Sequence, residues 1–195
     1  SLFGIKYKTY PVDDNFRINP EDYKEQNGGV VIPNPNAPTS LGEGLDFVEK
    51  ILDYNNDSVV IIDEAYVDFG GTSSVSLIEK YENLLVTGTF SKSRSLAGLR
   101  IGFAIGSKTL IDVMEAVKNS YNSYTVDSLS IEMGTASIED KEYFEETCKK
   151  VIKTRARVTD ELRLLGFDVL DSQTNFVFAT HNEHNMKSLF EYLKT

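Results

Sequence analysis

Ser58-Val59-Val60-Ile61-Ile62-Asp63 is an unbroken apolar run closed by a carboxylate, the mark of a strand buried in a parallel sheet. Leu84-Leu85-Val86 reads as a second such strand, and Ile101 to Ile105 as a third. Upstream, Gly28-Gly29-Val30-Val31-Ile32 is a short strand ended by Pro33-Asn34-Pro35-Asn36-Ala37-Pro38-Thr39. Three prolines forbid helix and central strand there, so the segment is a rigid loop at a strand end. Between the first strand and the apolar run, Leu45, Val48, Ile51 and Leu52 fall at helical spacing, which predicts a helix over 45–54. Strands alternating with a helix imply an α/β domain, its sheet mostly parallel and flanked by helices.

From Ser107 onward the chain turns helical. Leu110 to Tyr121 is amphipathic, Ser128 to Ser137 forms a second helix, and Lys141 to Leu165 a long one that Gly166 should stop. Phe167 to Leu170 and Asn175 to Phe178 then read as a pair of strands, followed by a last helix over Asn185 to Leu193. The organisation expected is a sheet domain over 1–125, then connecting helices and part of a small α+β domain over 126–195. The boundary falls between Asn122 and Lys141.

At 195 residues and 41% apolar content, the chain can bury one good core. Thirty acidic against twenty basic residues give a net charge of -10, which repels nucleic acid and anionic membrane alike. No apolar run is long enough to span a bilayer. Cys148 is the single cysteine, so no internal disulfide is possible, which suits a reducing cytoplasm. His181 and His184 flank Glu183 in a polar stretch without further ligands, and read as a solvated turn rather than a metal site.

The chemistry gathers at strand ends. In open parallel sheets ligands bind beyond the carboxyl ends of the strands, and three loops would share that edge: the proline loop, Asp63, and Thr89-Phe90-Ser91-Lys92-Ser93-Arg94-Ser95-Leu96-Ala97-Gly98-Leu99-Arg100. A lysine among hydroxyls can form an imine with an aldehyde, while Thr89, Ser91 and Arg100 can hold a phosphate. A carboxylate closing an apolar run is costly to desolvate unless a cation meets it, and a protonated pyridine nitrogen is such a cation. Aldehyde, phosphate and pyridinium together describe pyridoxal 5'-phosphate. Alternatively, Asp63 caps its turn or binds Mg²⁺, although no Gly-Lys-Ser/Thr phosphate loop accompanies it.

The lysine run resembles the attachment signature of fold type I, class II aminotransferases, in particular the histidinol-phosphate aminotransferases. Asp63-Glu64-Ala65-Tyr66 resembles that family's Asp-Glu-Ala-Tyr motif, and Ser172 to Phe176 its Ser-x-x-Asn-Phe stretch. The resemblance implies that Lys92 forms the imine and shuttles the substrate proton, and that Asp63 meets the ring nitrogen. It further implies that Tyr66 bonds the ring hydroxyl, that Thr89, Ser91 and Arg100 cradle the phosphate, and that Asn175 faces the substrate. The loop Asn34 to Ser40 resembles the family's Asn-Pro-Thr-Gly motif with two departures, Ala37 for the asparagine and Ser40 for the glycine. Asn36 is the candidate to replace the lost contact. Amino-group exchange between histidinol phosphate and a 2-oxo acid, 2-oxoglutarate, is the implied reaction, in a homodimer. Family members extend further at both ends, and no arginine follows Asn175, so an inactive internal fragment is expected. The rivals are another aminotransferase or a decarboxylase on the same lysine loop, and a non-catalytic domain that binds partners through an open sheet edge.

Overall fold

The computed structural model describes residues 4–194; Ser1 to Phe3 and Thr195 lie outside the described residues. Four strands form the main sheet in the order β1 (Val30–Pro33), β2 (Val60–Asp63), β3 (Leu84–Thr89), β4 (Gly102–Gly106). The first three are parallel and in register, with Pro33 opposite Asp63 and Asp63 opposite Thr87. β4 runs antiparallel, pairing Gly102 with Thr89. A parallel return takes a crossover of a dozen or more residues, usually helical. The link between β3 and β4 holds only the short 3-10 turn Ala97–Leu99, so the chain comes straight back.

Helix α1 (Leu45–Tyr54) covers one face of this sheet. Its apolar stripe of Phe47, Val48, Ile51 and Leu52 packs with Val30, Ile32, Val60, Ile62, Leu84 and Val86, and all are buried. The alternate strand residues meet less cover: Val31 is 65% exposed, and Ile61 is half-buried rather than enclosed on both faces as the apolar run suggests. Helix α2 (Lys108–Tyr121), capped by the Ser107 hydroxyl, follows β4 and buries none of its residues. α3 (Ser128–Glu139) and α4 (Lys141–Leu164) come next. Gly166, at φ +87, takes the left-handed position that ends α4.

The second sheet departs from the sequence expectation. β5 (Asp168–Val169) pairs antiparallel with β6 (Ala179–Thr180), not with a strand over Asn175 to Phe178. Hydroxyls compete with the ladder here. Ser172 Oγ donates to the Phe176 carbonyl at 2.6 Å, and Thr174 Oγ1 accepts the Phe176 N–H at 3.3 Å, drawing the segment into a compact loop. Helix α5 (Met186–Leu193), capped by Asn185, closes the described chain. No helix among the described residues is long and apolar enough to cross a membrane.

Candidate active site

The parallel register sets the carboxyl ends of β1, β2 and β3 side by side, and the chain leaves each end with a different chemical group. Beyond β2, Asp63 is half-buried and its Oδ1 accepts the Ala65 N–H at 3.2 Å, which bends the chain toward Tyr66. The next residue is anchored more firmly. Glu64 is 5% exposed; its carboxylate accepts the Ser74 N–H at 2.5 Å and the Ser73 hydroxyl at 2.7 Å, tying down the loop that follows Tyr66. Burial pushes the Glu64 carboxyl above its ordinary range, against the pull of those bonds.

Beyond β3 the lysine loop folds on its own hydroxyls. Thr89 Oγ1 accepts the Ser91 N–H at 3.1 Å and stands 2.9 Å from Ser91 Oγ, so the two hydroxyls share one small cup. Lys92 is exposed, and its Nζ lies 5.4 Å from the centroid of the Tyr66 ring. It enters neither a hydrogen bond nor an ion pair among the described residues. Tyr66 in turn meets Phe176 edge to face, with centroids 5.2 Å apart. Strand β2, strand β3 and the loop after β5 therefore converge on one point.

The other predicted residues stand differently. Arg100, at φ +56, is exposed and donates to the Ala97 carbonyl at 3.0 Å within its own loop. Asn36 is half-buried and donates its amide to Thr39 Oγ1 at 2.7 Å, which engages that side chain in its own turn. Asn175 is exposed, between the fully buried Thr174 and Phe176. Arg94 turns back from the site: its guanidinium donates to the Ser137 carbonyl and lies 4.2 Å from the Phe144 ring centroid. Among the described residues no cluster of three or more potential metal ligands exists.

Three contributors went unnoticed in the sequence. Asn34, 4% exposed, brackets Glu43 by accepting its N–H at 2.8 Å and donating to its carbonyl at 3.1 Å, which shapes the proline loop. Asp68 accepts the Ser93 hydroxyl at 2.5 Å, gripping the residue next to Lys92. Arg155, on α4, reaches the backbone on both sides of the Tyr66–Phe176 contact. Asn34 lies inside a motif and was findable by its neighbours. The other two have partners remote in sequence and carry no local signal.

Comparison with known proteins places the chain in a family. The chain is 55% identical over 193 residues to a histidinol-phosphate aminotransferase of Acinetobacter baumannii strain AYE, covering 99% of this chain and 54% of that protein. It is 50% identical to histidinol-phosphate aminotransferase 1 of Pseudomonas fluorescens strain Pf0-1, covering 99% of this chain and 55% of that protein. The chain thus spans about half the length of the curated relatives it matches. Among solved structures, the histidinol-phosphate aminotransferase of Clostridium acetobutylicum superposes with a TM-score of 0.83 at 27% identity, over 93% of this chain and 57% of that one. A Sinorhizobium meliloti histidinol-phosphate aminotransferase solved with pyridoxal-5'-phosphate shares the fold, with a TM-score of 0.77 at 22% identity over 91% of this chain and 50% of that one. The model of the family "Aminotransferase class I and II" matches residues 1–195, and the chain belongs to that family.

Proposed function

We propose that this chain carries the lysine-bearing part of the active site of a pyridoxal-phosphate aminotransferase that moves an amino group from histidinol phosphate to 2-oxoglutarate. One observation carries the reading: Lys92 Nζ, without a hydrogen bond or ion pair among the described residues, stands 5.4 Å from the ring of Tyr66, on the turn that follows the half-buried strand-end carboxylate of Asp63. The names of the relatives at 50–55% identity support the substrate. The residues fit the cofactor by their chemistry: an amine for its aldehyde, an acid for its ring nitrogen, hydroxyls and a guanidinium for its phosphate. When bound, pyridoxal phosphate supplies an aldehyde that captures amines and a ring that accepts the electrons left when a neighbouring proton departs.

The chain's own residues do the rest. Lys92 would hold the aldehyde and, when its amine is free, would move the proton at the substrate α-carbon as a general base and then acid. Asp63, at the end of β2, would meet the ring nitrogen and favour a proton there by its opposite charge. The Tyr66 hydroxyl orients the ring hydroxyl. Thr89 and Ser91 offer their shared cup to the phosphate, and the exposed Arg100 guanidinium has donors beyond its bond to Ala97 for the same charge. Asn36 serves the loop through Thr39, and Asn175 faces the substrate from the small lobe. The lobes divide as 1–125 and 126–195, the protein acts in the cytoplasm, and two copies complete each site.

Borohydride trapping tests the reading. Incubation of the chain with pyridoxal phosphate followed by reduction should place the phosphopyridoxyl mass on the peptide containing Lys92 in preference to surface lysines such as Lys108, and Lys92→Ala should remove that product alone. Labelling spread evenly over the exposed lysines would refute the assignment.

A further inference from the structure

The 3-10 turn Val67–Phe69, directly after Tyr66, is where three parts of the site are tied together. Asp68 Oδ2 accepts the Ser93 hydroxyl at 2.5 Å and so fixes the residue beside Lys92. The Phe69 carbonyl accepts Arg155 Nη1 at 2.8 Å, and the same nitrogen donates to the Thr174 carbonyl at 2.5 Å. Thr174 adjoins Asn175, and one residue further Phe176 holds the Tyr66 ring. Arg155 is half-buried, and that burial lowers its affinity for its proton. No carboxylate pairs with it among the described residues. A guanidinium withdrawn from water to serve only two carbonyls is a costly choice where an apolar side chain could fill the same space. Its two partners are also far apart in sequence, so the bond pair joins segments that no local structure would hold in place.

We propose that Arg155 is a positioning residue: it clamps the Tyr66 turn to the Asn175 loop, and with Asp68 sets the Lys92–Tyr66 geometry. The claim rests on the assignment of Lys92 above. Arg155 acts through backbone carbonyls and touches no reacting atom. Arg163 provides the internal control, because it lies on the same helix and donates to the Val169 carbonyl at 2.9 Å and to the exposed Asp171 carboxylate at 2.7 Å, bonding the β5 end of that loop without reaching the Tyr66 turn.

The experiment uses the 195-residue chain with Arg155→Met, Arg155→Lys and Arg163→Met. Arg155→Met should weaken the nuclear Overhauser contacts between the Tyr66 and Phe176 rings. It should also lower the labelling of Lys92 by pyridoxal phosphate and borohydride, relative to Lys108, by about tenfold, the equivalent of one hydrogen bond to a charged donor. Arg155→Lys, whose ammonium keeps charge and donors on a shorter reach, should recover part of both signals and serves if Arg155→Met does not fold. Arg163→Met should lower the melting temperature while leaving both signals unchanged. Ring contacts and Lys92 selectivity that survive in Arg155→Met and Arg155→Lys, with only stability lost, overturn the proposal. Absence of Lys92 preference in the unsubstituted chain refutes the cofactor assignment instead. The positioning claim is then decided by the ring contacts alone, and their persistence in Arg155→Met sinks it.

Discussion

Ser40 should make this protein less stable than it could be. It is fully buried, takes φ +67, and its hydroxyl has no hydrogen-bond partner among the described residues. Its backbone groups are engaged, with N–H donating to the Asn36 carbonyl at 2.8 Å and its carbonyl accepting the Gln173 N–H at 2.8 Å, so the conformation is held from outside. An unpaired buried hydroxyl costs about 1–3 kcal/mol, and Ser40→Ala removes that cost alone, for an expected gain of about 1 kcal/mol. Ser40→Gly also relieves a left-handed backbone costing about 1–2 kcal/mol. It returns about 0.4–1 kcal/mol through the freer unfolded chain and about 0.8 kcal/mol through the lost methylene. Those terms nearly cancel, so the two variants should land together, about 1–1.5 kcal/mol above wild type. For a domain of this size that is a rise in melting temperature of about 3–5 °C, read by far-ultraviolet circular dichroism. Melting at or below the wild-type temperature in both variants would refute the reasoning, since Ser40 would then be satisfied where it stands.

The one-sided core predicts a contrast: Ile62→Ala should cost about 2–5 kcal/mol in urea unfolding, whereas Val31→Ala on the open face should cost less than about 0.5 kcal/mol. Glu64→Gln should change how stability responds to pH. Burial raises the folded carboxyl above its ordinary value of 4.5, so folding favours the protonated form; that contribution is full below 4.5 and fades as pH climbs through the folded value. The stability of wild type relative to Glu64→Gln should therefore decline as pH rises above 4.5, and a flat difference would contradict it. Ser172→Ala combined with Thr174→Val should loosen the loop that holds Phe176, seen as weaker ring contacts to Tyr66 with β5 and β6 still paired.

Periodicity reported faithfully wherever one element faces one environment. The apolar stripe over 45–54 gave the bounds of α1 because its four core positions all meet the same sheet face. It failed over Asn175 to Phe178, where apolar residues suggested a strand but Ser172 and Thr174 captured the backbone groups that a ladder needs. The direction of β4 was not decided by length: the twelve residues 90–101 just reach what a crossover takes, and the chain comes straight back because they form the lysine loop and one short 3-10 turn in place of a crossover helix. The apolar run of β2 suggested burial on both faces, yet Ile61 is only half-buried, because hydrophobic content records what a face tolerates and not which partner covers it.

The site divides along the same physical line. Lys92, Thr89, Ser91 and Arg100 lie within a dozen residues of one another, and Asp63 and Tyr66 within four, so their chemistry could be recognised as local groups. Their convergence follows from register: once β2 and β3 pair with Asp63 opposite Thr87, the loops after them must share an edge. What the local groups cannot specify is their mutual orientation, because a loop fixed at one strand end still pivots there. That degree of freedom is removed by bonds spanning long stretches of chain: Asp68 to Ser93, and Arg155 to Phe69 and Thr174. In sequence Arg155 sits in Lys153-Thr154-Arg155-Ala156-Arg157 and looks like one more charge on a solvated helix face. Its neighbour Arg157 is such a charge, paired with Glu161 one turn on at 2.7 Å. The two arginines differ only in which side of α4 they occupy, and that side acquires meaning only after the turn following β2 has packed against it. Residues that perform chemistry can be named from their neighbours in sequence, whereas residues that hold the chemistry in place are defined by neighbours in space.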